Sequence, residues 1–215
     1  MKRLTWVLLS IFFVLSPDLP ASAIPPCPPK GEGGDPALNR LKNRIDAPAT
    51  YEMMTVAQFL ETLTPNLHAA KDRSDFSLAH RLYVDRNEAR GITLEGYLLH
   101  AKQAGPEGVN CYSKTRRDFL LWIGAKHPMT LKEAEAMRPE GVRVDATPAG
   151  QHQHKSWRLH TLKQWAKEGT RIRVSGWALY DSEHPGDVGK TRGSLWEVHP
   201  VTKIEIWDGE TWKEL

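Results

Sequence analysis

The residues best suited to chemistry lie near the C-terminus, in a run of alternating polar and apolar side chains from residue 192 to 207. Glu197 and His199 are two residues apart, so in a strand their side chains emerge on one face. His184 lies in the preceding polar loop, which could fold back over them. Together these residues could hold a divalent metal such as Zn²⁺ or Ca²⁺ for a metal-assisted hydrolase. The structural alternative is that Glu197 pairs with an arginine and His199 bonds to backbone near Pro200.

A second set of charged residues has the composition of a nuclease-like site. Its carboxylates would bind a metal ion, and its arginines would stabilise phosphoryl charge. The residues of these types are Asp118, Asp181, Glu197, Arg117, Arg173 and Arg192. Their spacing matches no nuclease motif, so this hypothesis depends on composition alone.

A third candidate is a ligand-binding face of tryptophan and arginine. Trp177, Arg171 and Arg173 share one parity of a predicted strand, a pattern that suits stacking on bases or sugar rings. The predicted binding set is Trp177, Arg171, Arg173, Arg192, Glu197 and His199. For the other tryptophans, the alternative to ligand binding is a structural role. We expect Trp165 and Trp196 to fill the core, and Trp207 and Trp212 to pair across a hairpin.

Other motifs carry less information. His152 and His154 form a His-x-His pair with His160 nearby, but alternating histidines in a polar linker are usually solvated. The sequence has no nucleophile elbow, HExxH motif, phosphate loop or internal repeat.

The elements that must position these residues follow a helical segment, residues 51–91, that we expect to clasp the rest. It holds one helix from an N-cap at Thr55 to Leu63 and another from Ser74 or Asp75 to about Ala89. Beyond it the hydrophobic period changes to that of strands. The predicted strands are 92–103, 117–124, 142–146, 171–181 and the run ending at 207, followed by an Asp208-Gly209 hairpin turn and a return to residue 215.

Strand order predicts the fold of residues 92–215. A possible short helix spans Leu131 to Met137, and a longer one, capped by Ser156 and ended by Gly169, falls between the third and fourth strands. Gly96 and Gly176 interrupt strands one and four, where a barrel bends sharply. This order is that of a five-stranded OB-like barrel, an α+β fold that is mainly β with flanking helices. Another small barrel or an open sheet is the alternative.

Three segments resemble those of exported bacterial proteins of unknown function. They run from Gly34 to Arg44, from Arg173 to Pro185 and from Leu195 to Glu205. The resemblance covers most of the mature chain and implies an OB-like fold and an exported protein. It implies no activity and no catalytic residues.

The N-terminus predicts export. Lys2 and Arg3 precede a short apolar run, and Ala21-Ser22-Ala23 is a small-residue cleavage site, so residues 1–23 are predicted to be a signal peptide. An uncleaved anchor is the alternative. Residues 24–50 begin as a Pro/Gly-rich arm with little to bury. We therefore expect a secreted or periplasmic protein with no membrane span after cleavage.

Cys27 and Cys111 are the two cysteines of the chain. In an oxidising compartment they most simply form one disulfide that ties the arm to a loop of the main domain, with free thiols as the alternative. The formal charge of +3 falls to +2 without the signal peptide, which favours neither nucleic acid nor an anionic membrane as partner. We expect a binding or interaction domain for a glycan, protein or nucleic acid, with nucleic acid not favoured and no cofactor.

Overall fold

The computed structural model describes residues 27–63 and 72–215. The predicted signal peptide lies outside the described residues. Within the two described ranges, no helix is long and apolar enough to cross a membrane.

Five strands form a closed barrel. They are β2 (Gly91–Gln103), β3 (Phe119–Gly124), β4 (Val142–Ala146), β5 (Arg171–Tyr180) and β6 (Trp196–Trp207), with β1 (Glu52–Thr55) and β7 (Trp212–Glu214) added at its edges. Their order is β2-β3-β4-β6-β5, and β5 pairs back with β2 to close the sheet. Within the barrel the β4–β6 pair is parallel and the other pairs are antiparallel. This OB-like arrangement confirms the predicted barrel.

Helices flank the barrel, as predicted. They are α1 (Pro36–Lys42), α2 (Val56–Leu63), α3 (Leu78–Glu88), α4 (Leu131–Met137), α5 (Pro148–Gln153) and α6 (Leu159–Glu168). Helix α6 lies between β4 and β5 and packs against β2, burying Leu162 and Ala166. Gly169 ends α6 with a positive φ of 61°, as its position predicts.

Two predicted helix starts are wrong by a few residues. Arg158, rather than Ser156, is the N-cap of α6. Ser77 caps α3, accepting a hydrogen bond from the His80 amide, while Ser74 and Asp75 lie in a preceding 3₁₀ turn. Several nearby Ser and Asp residues compete as caps here, so composition alone did not identify the starting residue.

The N-terminal clasp contains a strand that the sequence analysis missed. β1 pairs with β2 in parallel, from Glu52 opposite Ile92 to Thr55 opposite Glu95. Helix α2 follows directly and buries Val56 and Phe59 in the main core. The clasp is therefore joined to the barrel by backbone hydrogen bonds as well as by helix packing.

The sixth strand bends where proline predicted a bulge. Gly176 pairs with Val201 and Ala178 with Val198, so one more residue intervenes on β6 than on β5. The extra residue falls at His199 or Pro200, and a second extra residue falls at Thr202, since Ser175 pairs with Lys203 and Gly176 with Val201. Each extra residue changes which parity faces the core. Trp196, Val198, Val201 and Ile204 are all core residues.

A disulfide joins Cys27 to Cys111 and confirms the predicted pairing. It ties the arm to the loop between β2 and β3. Two further bonds hold the same contact: the Glu32 amide donates to the Gly108 carbonyl, and the Asn43 side chain donates to the Val109 carbonyl. The arm is therefore fixed over one end of the barrel.

Candidate functional site

A network of charged side chains is buried beneath the N-terminal arm, in the barrel region formed by β4, β6 and the ends of their connecting loops. Arg192, Glu197 and His199 belong to it, and each is only 1% exposed. They were predicted to lie on an open binding face, and that prediction is wrong. The N-terminal half of β6 is buried on both faces. One face packs in the core, and loops and the arm cover the other face, which carries the polar side chains.

Arg192 connects two strand ends within this network. Its Nη2 donates to Asp181 Oδ2 at 2.6 Å, and its Nη1 donates to Glu197 Oε2 at 2.9 Å. Both carboxylates are as buried as the guanidinium. Glu197 therefore pairs with an arginine, as the structural alternative predicted.

His199 lies between three carboxylates. Its Nδ1 is 3.0 Å from Glu197 Oε1 and 3.5 Å from Asp145 Oδ2, and its Nε2 is 3.8 Å from Asp118 Oδ2. The Nδ1–H donates to Glu197, because a carboxylate can only accept. Nε2 is buried and has no hydrogen-bond partner among the described residues.

The sequence analysis missed Asp145 and did not place Asp118 in its metal set. Asp145 is held on β4 by Arg143, whose Nε and Nη2 donate to it at 2.9 and 2.8 Å. Asp118, just before β3, accepts from the Asn110 side chain at 2.8 Å. The available signal was the pair Arg143 and Asp145, two residues apart in the strand Val142–Ala146, because that spacing places a cation and a carboxylate on one face.

The predicted metal set does not assemble as proposed. Among the described residues, the group whose potential ligand atoms all lie within 4.8 Å of one another is Asp118, Asp145 and His199. His184 instead bonds to Asp181, 2.8 Å away, and its side chain is 43% exposed. Glu197 stays beside His199 but is joined to Arg192, so His184 lies outside this group.

Helix α1 closes the network from the arm. Lys42 Nζ lies 3.4 Å from Asp181 and 3.1 Å from Glu183, and its side chain is 8% exposed. Burial acts to lower the pKa of Lys42, but Asp181, Glu197 and Glu183 together raise it, so it stays charged. The cluster thus joins the arm to the loop before β6 by buried ion pairs.

The pKa values of two buried carboxyls, Asp118 and Asp181, shift in opposite directions. Burial raises the pKa of Asp118 to about 6, with a further contribution from Asp145 and an opposing one from His199. Burial also acts to raise the pKa of Asp181, but the His184 hydrogen bond and the charges of Lys42 and Arg192 hold it well below its usual range. The burial of Asp118 is thus not offset by the positive charges around it.

The pKa of His199 is raised above its usual value. Burial acts to lower it, and the hydrogen bond to Glu197 together with the charges of Asp145 and Asp118 outweighs that effect. A positive charge on the imidazole, or on an ion beside it, therefore stabilises the ionised form of the surrounding carboxylates.

Arg171 and Arg173 lie on the outer surface of β5, where they contact tryptophans of the C-terminal hairpin. The Arg173 guanidinium carbon is 4.0 Å from the Trp212 ring centroid, and that of Arg171 is 5.5 Å from it. Trp207 and Trp212 pair across the hairpin with centroids 5.4 Å apart, as predicted. Both rings remain partly exposed. We call these four residues the hairpin platform.

Trp177 lies away from the hairpin platform. It shares the outer face of β5 with Arg171 and Arg173, but lies four residues beyond Arg173, about 13 Å along the strand. Its indole N–H donates to the Asp46 carbonyl at 2.9 Å, and the Arg44 guanidinium lies 4.4 Å from its ring centroid. Trp177 thus shares the predicted face with the two β5 arginines, but it contacts the end of the arm rather than the hairpin platform.

The nuclease-like set is divided between these two places. Asp118, Asp181, Glu197 and Arg192 are in the buried network, while Arg173 is on the outer surface. Arg117 donates to Gln103. No single surface unites these six side chains, so the compositional argument gains no geometric support.

The histidine pair before α6 also fails to form a site. His154 stacks on Trp157 with ring centroids 4.2 Å apart, while His152 is exposed.

A groove of about 1290 Å³ runs between α1 and α3. It is lined by residues of both charge signs, and Arg73 in it is bound to Glu88. Because its lining carries charges of both signs, the groove favours neither an anionic nor a cationic ligand.

Comparisons with protein-family models, curated proteins and solved structures found no match to this chain.

Proposed function

We propose that this chain is an exported OB-like domain that binds an oligosaccharide on the hairpin platform, the surface formed by Arg171, Arg173, Trp207 and Trp212. The observation that carries the proposal is the pair of partly exposed tryptophans on the barrel surface, framed by arginines. Aromatic rings stack on the apolar faces of sugars, and guanidinium and carboxylate groups bond to hydroxyls. Export is supported by the predicted signal peptide, the resemblance to exported proteins and the disulfide.

The charges around the platform favour a sugar over a nucleic acid. Glu95 binds both arginines, with Arg173 Nε 2.8 Å from its Oε2. Lys203 lies 3.0 Å from Glu205, so that cation is paired as well. Nucleic-acid binding draws its affinity from unpaired cations against phosphates, and this surface offers a balanced set instead.

The metal-assisted hydrolase is less well supported. A hydrolytic metal site needs a position open to substrate. Glu197 and His199 are each 1% exposed beneath the arm. The function that the geometry supports best is therefore binding, with no assigned catalytic residue.

Indole N–H resonances provide the test. The mature chain, residues 24–215, contains seven tryptophans. Titration with oligomers of glucose, N-acetylglucosamine and galacturonic acid should shift the Trp207 and Trp212 indole resonances and leave that of buried Trp196 unchanged. Trp212→Ala should weaken binding at least about fivefold, since one stacking contact contributes about 1–3 kcal/mol.

Trp177→Ala is the matched control, because it removes an indole that the arm already covers on one side. It should leave affinity unchanged. Shifts at Trp177 rather than Trp212, a response to oligodeoxythymidine alone, or no response to any of the three sugars would overturn the proposal.

A further inference from the structure

Asp118, Asp145 and His199 come from three separate parts of the chain and meet inside the barrel. They lie before β3, on β4 and on β6, and each is only 1% exposed. Their potential ligand atoms are within 4.8 Å of one another. For a tetrahedral Zn²⁺ site, metal–ligand distances near 2.0–2.2 Å place neighbouring ligand atoms about 3.4 Å apart. The 3.8 Å between His199 Nε2 and Asp118 Oδ2 is close to that spacing.

The histidine is oriented as in a metal site. Its Nδ1–H is bound by Glu197, which fixes the ring and leaves the Nε2 lone pair available in the neutral tautomer. Nε2 is the atom without a hydrogen-bond partner, although the side chain is only 2% exposed. A buried polar atom is normally paired, so this one indicates a missing partner.

The two aspartates are supported in the same way. Asn110 donates to Asp118 Oδ1, which leaves Oδ2 facing the histidine. Arg143 holds Asp145 by two hydrogen bonds. In the described part of the chain, Asp118 has no lysine or arginine within ion-pair distance. Each ligand candidate thus has an outer partner that fixes it, while Asp118 lacks a cation of its own.

We propose that Asp118, Asp145 and His199 bind one Zn²⁺, with Glu197 as the outer-shell carboxylate that orients the histidine. The mixture of one imidazole and two carboxylates favours Zn²⁺ over Ca²⁺ or Mg²⁺, which prefer all-oxygen sites. Because the site is buried under the arm and nothing the size of a substrate reaches it, the ion would be structural, with water as the fourth ligand of the tetrahedron. The ion joins β4 and β6 to the start of β3. This inference is independent of the hairpin platform and of sugar binding.

The test uses the oxidised mature chain. Purified protein should contain about one Zn²⁺ by mass spectrometry after dialysis. Chelation should lower the thermal midpoint, and added Zn²⁺, but not Ca²⁺, should restore it. Co²⁺ added to the metal-free protein should produce the visible absorption of a tetrahedral site, a readout that needs no variant to fold.

Variants identify the ligands. His199→Ala and Asp118→Asn should abolish Zn²⁺ binding, and Glu197→Gln should weaken it about 10–100-fold, as loss of an outer-shell partner does. His184→Ala is the matched control and should retain the metal. A folded wild type that is metal-free as purified, with no Co²⁺ absorption and no response to Zn²⁺, would overturn the proposal and leave a protonated His199 as the buried cation. Equal loss of metal in His184→Ala would also overturn the assignment.

Discussion

At the residue scale, Arg192 shows how a charged side chain can be a core residue. Its two terminal nitrogens bind Asp181 and Glu197, and all three side chains are about 1% exposed. Removing one partner of such a buried pair leaves an uncompensated charge, which destabilises a protein by about 3–5 kcal/mol. The polar residues of this network are therefore held by one another, and a change in any one of them alters the environment of the rest.

Glu95 gives a pH-dependent prediction at the same scale. Burial acts to raise its pKa, but hydrogen bonds from Arg171 and Arg173 outweigh that and lower it below the usual 4.5. A carboxyl whose pKa is lower in the folded state contributes stability above its unfolded pKa and loses it as pH falls through the folded value. The side chain is 18% exposed, so the contribution is about 1 kcal/mol.

We therefore expect Glu95→Gln to lower the free energy of unfolding by about 1 kcal/mol at pH 7. The difference from wild type should shrink as pH falls below 4.5. Urea unfolding across pH 3 to 7 measures it. Glu214→Gln, at an exposed position on the C-terminal hairpin, is the control and should show little difference at any pH. A Glu95 difference that grows towards acid would contradict the assigned pairing.

At the element scale, the arm and the loop between β2 and β3 act as one unit. The Cys27–Cys111 disulfide closes a separation of 84 residues, and Asn43 and Glu32 add bonds to the same loop. Asn110, which binds Asp118, is the neighbour of Cys111. The arm therefore covers the buried network and also fixes the loop that supplies one of its hydrogen bonds.

Removing the disulfide tests this unit. Cys27→Ser combined with Cys111→Ser should lower the free energy of unfolding by about 2–4 kcal/mol, because the unfolded chain gains freedom. Denaturant unfolding gives the value. Wild type unfolded with reductant should match the double variant, which separates the effect of the bond from that of the serines. Equal stability of the oxidised wild type and the double variant would show that the arm needs no covalent tie.

At the scale of the whole molecule, barrel closure depends on close backbone contacts at two glycines. A Cβ at Gly96 would lie 2.5 Å from the Gly124 carbonyl oxygen, and one at Gly176 would lie 2.3 Å from the Pro200 carbonyl oxygen. Gly176 faces the bulge of β6, where β5 and β6 turn together. These positions lack room for any side chain, which is why glycine occurs inside otherwise regular strands.

Gly176→Ala should therefore destabilise the fold by about 1–3 kcal/mol, since backbone must move to admit the methyl group. Gly186→Ala, in a loop with nothing within 4 Å of the added atom, is the control and should change stability by less than about 0.5 kcal/mol. Thermal or urea unfolding of both variants checks this. Equal effects at the two positions would refute the role of Gly176 in closure.

The order of the five barrel strands, with α6 between β4 and β5, could be predicted from the sequence, because each of these elements depends on local patterns. Helix α4 and strand β4 match their predicted bounds, 131–137 and 142–146, and the Asp208-Gly209 turn forms the predicted hairpin. β1 was missed because four residues are too few to show a hydrophobic periodicity. Their parallel partner strand is also about 40 residues away in the sequence. The bends at Gly96, Gly176 and Pro200 could also be predicted from the sequence, because glycine and proline act on the backbone at their own positions.

Which polar residues meet depends on the tertiary fold. Alternation placed Glu197 and His199 on one face but could not show that the arm would cover that face. Asp118 and Asp145 reach His199 because β3, β4 and β6 are neighbours in the sheet, a long-range arrangement that no spacing along the chain records. Likewise, parity placed Trp177 on one face with Arg171 and Arg173, but it could not show that the arm contacts Trp177. Contacts between distant segments depend on how the sheet curves and closes, and a one-dimensional pattern carries no measure of either.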